Sequence, residues 1–247
     1  MFGEFTPPYT SEGGGLSLSL DMREGHYQYR RDLNGQRVER SISAGLSRLL
    51  IHPVEPFIVG SGIAGHLEIE FPMLILEPGA TETIYLTFPI EIGVFVEGLR
   101  ETELLDVFSV EKPKYSLYGS PQHGVITRFA RSARYREPPV VDGSREGVLK
   151  LAIRNTLSEW AGVSRVALSE EEMHLYASEF AGMMAMMRIT GKDAAEVMGV
   201  DRALKGGMRR AHDLFTAKRI LRLDTTPRIP GLPGMERKGF LMEGGLS

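Results

Sequence analysis

His66-Leu67-Glu68-Ile69-Glu70 carries the sharpest chemical pattern in the chain. In an extended strand successive side chains point to opposite faces. His66, Glu68 and Glu70 then share one face, and Leu67 and Ile69 the other. One imidazole and two carboxylates make a donor set for a first-row divalent metal. A half-buried strand with its polar side turned to solvent shows the same alternation. The pattern therefore reads either as a metal site on a concave, partly buried face or as the outer face of a sandwich strand.

The second pattern runs from Tyr115 to Arg128, where Gly119, Pro121 and Gly124 fix a tight loop. Tyr115, Tyr118, His123 and Arg128 stand around that loop, and Arg134 follows it. Backbone amides beside an arginine can bind an anion. The same glycines and proline also serve a plain hairpin turn. The glycine spacing is not that of a phosphate-binding loop, and no Gly-Lys-Ser/Thr follows. If Arg128, Arg131 and Arg134 lay on one strand, Arg128 and Arg134 would share a face, with Arg131 opposite. Tyr115, Tyr118, His123, Arg128 and Arg134 are thus the candidate ligand-binding residues, and His66, Glu68 and Glu70 the candidate metal ligands.

Charge is segregated along the chain. From Leu49 to Leu99 there is no Lys or Arg, while Glu55, Glu68, Glu70, Glu77, Glu82, Glu91 and Glu97 all lie there. From Lys112 to Arg136 the chain is basic with no acid, and a second basic stretch spans Arg202 to Lys238. Acidic strands can lie beside basic ones in a sheet as cross-strand pairs. Alternatively, a basic cleft attracts an anion, or acidic and basic faces meet across subunits.

Other signals are thinner. His26, His52, His174 and His212 lack zinc-binding spacing, no Gly-x-Ser-x-Gly occurs, and there is no cysteine. Met183-Met184 and Met186-Met187 suit either a soft interface or core filling. Trp160 with Arg154 or Arg165 suits a carbohydrate platform or buried packing. No residue is assigned a catalytic role, and the sequence requires no cofactor.

The elements that position these residues read mostly with period two. Leu16, Leu18 and Leu20 alternate with Ser17 and Ser19, and Asn34-Gly35 marks a hairpin between His26–Arg31 and Arg37–Ser43. His66–Phe71, Thr83–Phe88 and Ile90–Val96 alternate in the same way, with Glu77-Pro78-Gly79-Ala80 as a turn. Val148–Ile153 alternates too, with Val163–Leu168 as an expected hairpin partner. Ser169–Thr190 is ambiguous: Ser169-x-x-Glu172 has the form of a capping box, and Met173, Tyr176, Phe180, Met184 and Met187 share a helical face. A hairpin fits the same residues. A helix is also possible over Asp201–Arg222, and the tail from Thr226 is proline-rich.

These patterns predict a mainly β protein of two β-sandwich-like modules with at most one or two helices in the C-terminal half. The expected division is 1–137 as an N-terminal β-sandwich-like domain, 138–147 as a Pro-Pro linker, and 148–247 as a C-terminal β-rich domain with an irregular tail.

The chain has 247 residues, 42% hydrophobic and 25% charged, with a net charge of -3. That composition excludes a disordered chain, a disulfide scaffold and a thiolate zinc site, and it argues against a nucleic-acid partner. No apolar run reaches the roughly 18 residues of a membrane span, and no leader pattern opens the chain. A cytoplasmic location is expected.

Met1-Phe2-Gly3, Lys114-Tyr115-Ser116-Leu117-Tyr118-Gly119-Ser120-Pro121 with Gly124-Val125-Ile126-Thr127-Arg128, and Phe240-Leu241-Met242-Glu243-Gly244-Gly245-Leu246 together resemble the archaeal family designated domain of unknown function 432. The resemblance covers nearly the whole chain. It implies an archaeal source and a β-rich fold, implies no reaction, and tilts Ser169–Thr190 towards a hairpin.

The leading functional expectation is a soluble binding or assembly protein without catalytic activity, forming a homo-oligomer and taking a small anionic ligand. The alternative is a metal-dependent or anion-processing enzyme on a β-sandwich scaffold, with His66, Glu68 and Glu70 on the metal and Arg128 on the substrate.

Overall fold

Asn34 and Gly35 both adopt positive φ, 51° and 85°. That conformation matches the right-handed twist of the strands it joins, so it closes a two-residue hairpin. Such turns recur, and between them the alternating segments extend. The structure, a computed structural model, describes residues 2–42, 45–46, 48–57, 64–98, 102–119, 122–192, 194–212 and 218–219.

The strands in the first half are β1 (Gly3–Phe5), β2 (Tyr9–Gly13), β3 (Leu16–Arg23), β4 (His26–Leu33), β5 (Gln36–Ile42), β6 (Arg48–Val54), β7 (His66–Leu76), β8 (Thr81–Pro89), β9 (Glu91–Glu97) and β10 (Thr102–Phe108). There follow β11 (Tyr115–Tyr118), β12 (Val125–Arg131), β13 (Glu146–Asn155), β14 (Ala161–Ser169), β15 (Tyr176–Ala177), β16 (Ala181–Gly191), β17 (Ala194–Val200), β18 (Arg209–Arg210) and β19 (Lys218–Arg219). The protein is mainly β, and the sole helical element among the described residues is a 3-10 turn at Glu170–Glu172.

Four sheets form two sandwiches. The meander β2-β3-β4-β5 faces the sheet β1-β6-β9-β10-β19. Leu18, Leu20 and Tyr29 of the meander pack with Leu49, Ile51, Ile92 and Val94. The sheet β11-β12-β7-β14 faces β18-β15-β16-β13-β8, on which β17 pairs with β16. Leu67 and Ile69 pack there with Leu86, Leu149, Leu151 and Met183. Each fully buried aliphatic side chain contributes about 1.5–3 kcal/mol relative to exposure.

The segment 138–147, read from the sequence as a linker, follows β12 and ends in the first two residues of β13. The strands on its two sides share a sheet, because β8 pairs antiparallel with β13 from Pro89↔Glu146 to Thr81↔Arg154. The second core thus draws on residues from both sides of the Pro-Pro segment.

Val148–Ile153 and Val163–Leu168 do not pair as a hairpin. β13 pairs with β8 and β16, while β14 pairs with β7 in the opposite sheet. The buried side chain of Asn155 accounts for the crossing. Its amide donates to the carbonyls of Leu76 (3.1 Å), Glu77 (3.1 Å) and Glu159 (2.8 Å). These bonds tie the end of β13 to the β7–β8 turn and send the chain across to the facing sheet.

The capping box after Ser169 forms, with the Ser169 amide donating to Glu172 Oε2 at 2.7 Å, yet it supports only one 3-10 turn. Beyond it Met183, Ala185, Met187 and Ile189 are buried at every second position, so strand periodicity overrides the helical stripe. β15 pairs antiparallel with β16, which is the hairpin reading of this segment. Residues 201–212 contain no helix. The tail from Thr226 lies outside the described residues. No helix among the described residues is long and apolar enough to cross a membrane.

Candidate functional site

The β11–β12 hairpin is joined to β7 in parallel, so the basic run and the acidic run are neighbours in one sheet. Arg128 lies beside Leu67, and Arg131 beside Glu70. The two faces of this sheet differ in chemistry.

On the outer face Glu68 is 1% exposed. The Ser116 hydroxyl donates to Glu68 Oε2, and the Thr127 hydroxyl donates to the same oxygen at 3.2 Å. Arg165 Nη1 stands 3.2 Å from Glu68 Oε1. Glu70 is half-buried and pairs with Arg131 at 3.1 Å and Arg165 at 3.9 Å. His66 shares this face at the exposed start of β7. Among the described residues no three His, Asp or Glu side chains are grouped so as to hold a metal ion. The carboxylates of Glu68 and Glu70 are engaged by hydroxyls and guanidinium groups.

On the inner face Arg128 points with Leu67 towards the core and is 2% exposed. Its Nε and Nη1 are buried with no hydrogen-bond partner. Its guanidinium lies 5.9 Å from the centroid of the Tyr115 ring, its cross-strand neighbour. Burial lowers the Arg128 pKa from the ordinary guanidinium value, while Glu91, Tyr115 and Glu111 act to raise it. Glu91 is fully buried on β9, and Glu111 is exposed and pairs with Arg145 at 3.2 Å. Among the described residues Arg128 makes no ion pair within 4.0 Å. A buried polar group left unbonded costs about 1–3 kcal/mol, and more when charged.

The other candidate residues lie on the hairpin, in its turn and beyond β12. Tyr118 pairs with Val125 on the outer face near the hairpin tip. His123 is exposed in the turn. Gly119 has φ 105° and its Cβ position lies 3.1 Å from Gly124 Cα, so the turn needs glycine there. Ser120 and Pro121 lie outside the described residues. β12 ends at Arg131, so Arg134 does not share a strand face with Arg128; its Nη1 donates to the Met73 carbonyl at 3.1 Å. The structure therefore brings Tyr115 and Arg128 together on one face of the hairpin, while Tyr118 faces the other way and Arg134 lies beyond the end of β12. Trp160 is 68% exposed and Arg165 is engaged by Glu68 and Glu70.

Two polar clusters escaped the sequence reading. Asp106 sits between the sheets of the first sandwich, bound by Tyr29, Arg31 and Arg40. Tyr29, Arg31 and Leu33 are buried at alternate positions of β4, so an arginine in a core register was the available signal. His52 and His212 stack edge-on with centroids 5.0 Å apart, a pairing that no local pattern announces.

No curated protein and no solved structure matches the chain. Over residues 1–228 it matches the model of the family described as protein of unknown function (DUF432), and the chain belongs to that family.

Proposed function

We propose that the chain is a binding and assembly protein without catalytic activity, which forms a homo-oligomer and holds an anionic group at Arg128 beside Tyr115. One observation carries the ligand part: the Arg128 guanidinium is 2% exposed, yet its Nε and Nη1 have no hydrogen-bond partner. A carboxylate or phosphoryl oxygen is a charged acceptor for such a guanidinium N–H. Tyr115, 38% exposed, has its ring 5.9 Å from the guanidinium and carries a phenolic hydroxyl. The negative charges of Glu91 and Glu111 lie close enough to act on Arg128. They favour a singly charged group over a polyanion.

The remaining polar clusters are held in contacts that position strands. Glu68 ties β11, β12, β7 and β14 together through Ser116, Thr127 and Arg165. Asp106 ties the meander to β10.

Thermal-shift titrations with acetate, sulfate and inorganic phosphate, matched in ionic strength with sodium chloride, test the ligand part. Wild type should gain melting temperature with acetate or phosphate at millimolar concentration, and Arg128→Met should lose that response while remaining folded. A wild type indifferent to all three anions, or an Arg128→Met variant that still responds, overturns it.

A further inference from the structure

β6 serves two environments by alternation. Leu49 and Ile51 point into the core of the first sandwich. Leu50 and Val54 join Phe95 and Leu104 in a separate small cluster on the opposite face of that sheet. His52 has the register of Leu50 and Val54 and stands opposite Gly93, so its ring lies on that outer face. The His212 ring meets it edge-on with 5.0 Å between centroids, and lies 5.4 Å from the ring of Phe95.

His212 arrives from the other sandwich. It follows β18, which pairs with β15 at Arg209 and Arg210 alone. Between them Ala211 is buried in the second core, and its amide donates to the Leu175 carbonyl at 2.9 Å. Arg209 reaches Glu4 of β1 at 4.0 Å. The segment from Arg209 to His212 thus bridges the two sandwiches. A two-residue strand brings few ladder bonds, so the segment depends on its contacts at Ala211 and His212.

We infer that the His52–His212 stack is an acid-sensitive catch, which seats the Arg209–His212 segment while His52 is neutral and releases it when His52 takes up a proton. An imidazolium carries N–H on both nitrogens. In the seated form His52 Nε2 is buried with no hydrogen-bond partner, so the added N–H finds no acceptor. The surrounding charges are already engaged. Glu4 pairs with Arg48 at 2.8 Å, and Glu97 on β9 pairs with the same Arg48 at 3.4 Å. Glu91 on β9 acts on Arg128, and Arg210 is held by Asp201 and His174. Burial, and then the His212 charge, hold the His52 pKa down to about 4 from 6.5, against the pull of Glu4. Release returns the ring to water and to its ordinary value. The open form then takes up a proton that the seated form refuses, so opening grows as pH falls from 6.5 towards 4. Between pH 7.5 and pH 5 the linkage amounts to about 30-fold.

Native-state hydrogen exchange on the full chain, read residue by residue and corrected for intrinsic rates, tests this. The Ala211 amide reports the segment, and the amide of Leu151, fully buried in β13, reports global unfolding. In wild type, Ala211 protection should fall about 30-fold from pH 7.5 to pH 5 and be indifferent to low urea, as local opening is. Leu151 exchange should accelerate with urea. In His52→Phe, Ala211 protection should stay level between the two pH values. In His212→Ala, which removes the stacked ring, it should be low at both. Ala211 protection that is level with pH in wild type, or falls equally in His52→Phe, overturns the catch. So does Ala211 exchange with the urea dependence of Leu151, because the proton then acts only through global unfolding. Full Ala211 protection in His212→Ala at pH 7.5 overturns it as well.

Discussion

Arg31 Nε donates to Asp106 Oδ2 at 2.7 Å, with the two side chains 9% and 5% exposed. The Tyr29 hydroxyl donates to the same oxygen at 2.9 Å, and Arg40 reaches Oδ1 at 3.6 Å. A bulge between Leu104 and Asp106 makes the contact possible. It lets Leu105 join the core and Asp106 face Tyr29 and Arg31, although the two are adjacent in sequence. Burial, and then the Asp106 carboxylate, push the Tyr29 phenol above its ordinary range, so the hydroxyl stays a donor.

Removing the carboxylate strands a buried cation. Asp106→Ala should lower unfolding stability by about 3–5 kcal/mol in urea, because Arg31 loses its counter-charge in the core. Tyr29→Phe deletes one hydrogen bond and should cost only about 1–3 kcal/mol. A loss at Asp106 no larger than that at Tyr29 would show that solvent reaches Arg31 and replaces the ion pair.

Gly199 marks a second close contact. A Cβ there would meet the Glu172 carbonyl oxygen, where the 3-10 turn lies over β17. Gly199→Ala must push the turn away and should cost about 1–3 kcal/mol through overpacking. Gly206 has open space around its Cβ position, so Gly206→Ala should stay within about 0.5 kcal/mol of wild type. Urea unfolding of the two variants side by side checks the contrast.

The strands were legible because alternation is local. Leu16, Leu18 and Leu20 declare an inner face, and Asn34-Gly35 declares its turn. Which strands pair is a long-range property: β13 finds β8 and β16 rather than β14, since Asn155 anchors the crossing to carbonyls that lie 78 and 79 residues away. The capping box at Ser169 was correct as a local motif and too weak to extend into a helix against the buried alternation of Met183 to Ile189.

Site residues were less legible. The alternation of His66, Glu68 and Glu70 was plain, but not that Ser116, Thr127 and Arg165 would engage the carboxylate of Glu68. Tyr115 and Arg128 meet because they are register partners across the hairpin, which the loop glycines hinted at. Asp106 was hidden by a bulge, and a bulge shifts the face of a side chain without any marker in composition.

The neighbouring acidic and basic runs should contribute little through their exposed pairs. Arg131 and Glu70 meet at 3.1 Å, but Arg131 is 75% exposed. A double-mutant cycle with Arg131→Ala and Glu70→Ala should give a coupling below about 1 kcal/mol, shrinking further in high salt. A coupling of several kcal/mol that ignores salt would contradict this.

His52 makes stability depend on pH in a defined window. Its ring lies 5.0 Å from that of His212 and 6.4 Å from that of Phe95, and its Nε2 is buried with no hydrogen-bond partner. Burial, and then the His212 charge, lower its pKa from 6.5 to about 4, against the opposing pull of Glu4. As pH falls below 6.5 the unfolded chain protonates His52, whereas the folded protein resists until about 4. The unfolded state therefore binds more protons across that window, and stability drops as pH falls through it. The loss attributable to this residue should reach up to about 3 kcal/mol near pH 4 and vanish above neutrality. His52→Phe keeps a ring between Phe95 and His212 but cannot take up a proton. Carboxylates also titrate at low pH, so the informative quantity is the difference between wild type and His52→Phe. Urea unfolding at pH 7.5, 6, 5 and 4.5 should show the variant gaining on wild type step by step below pH 6.5. A difference that stays constant across the four pH values would mean that the histidine titrates alike in both states.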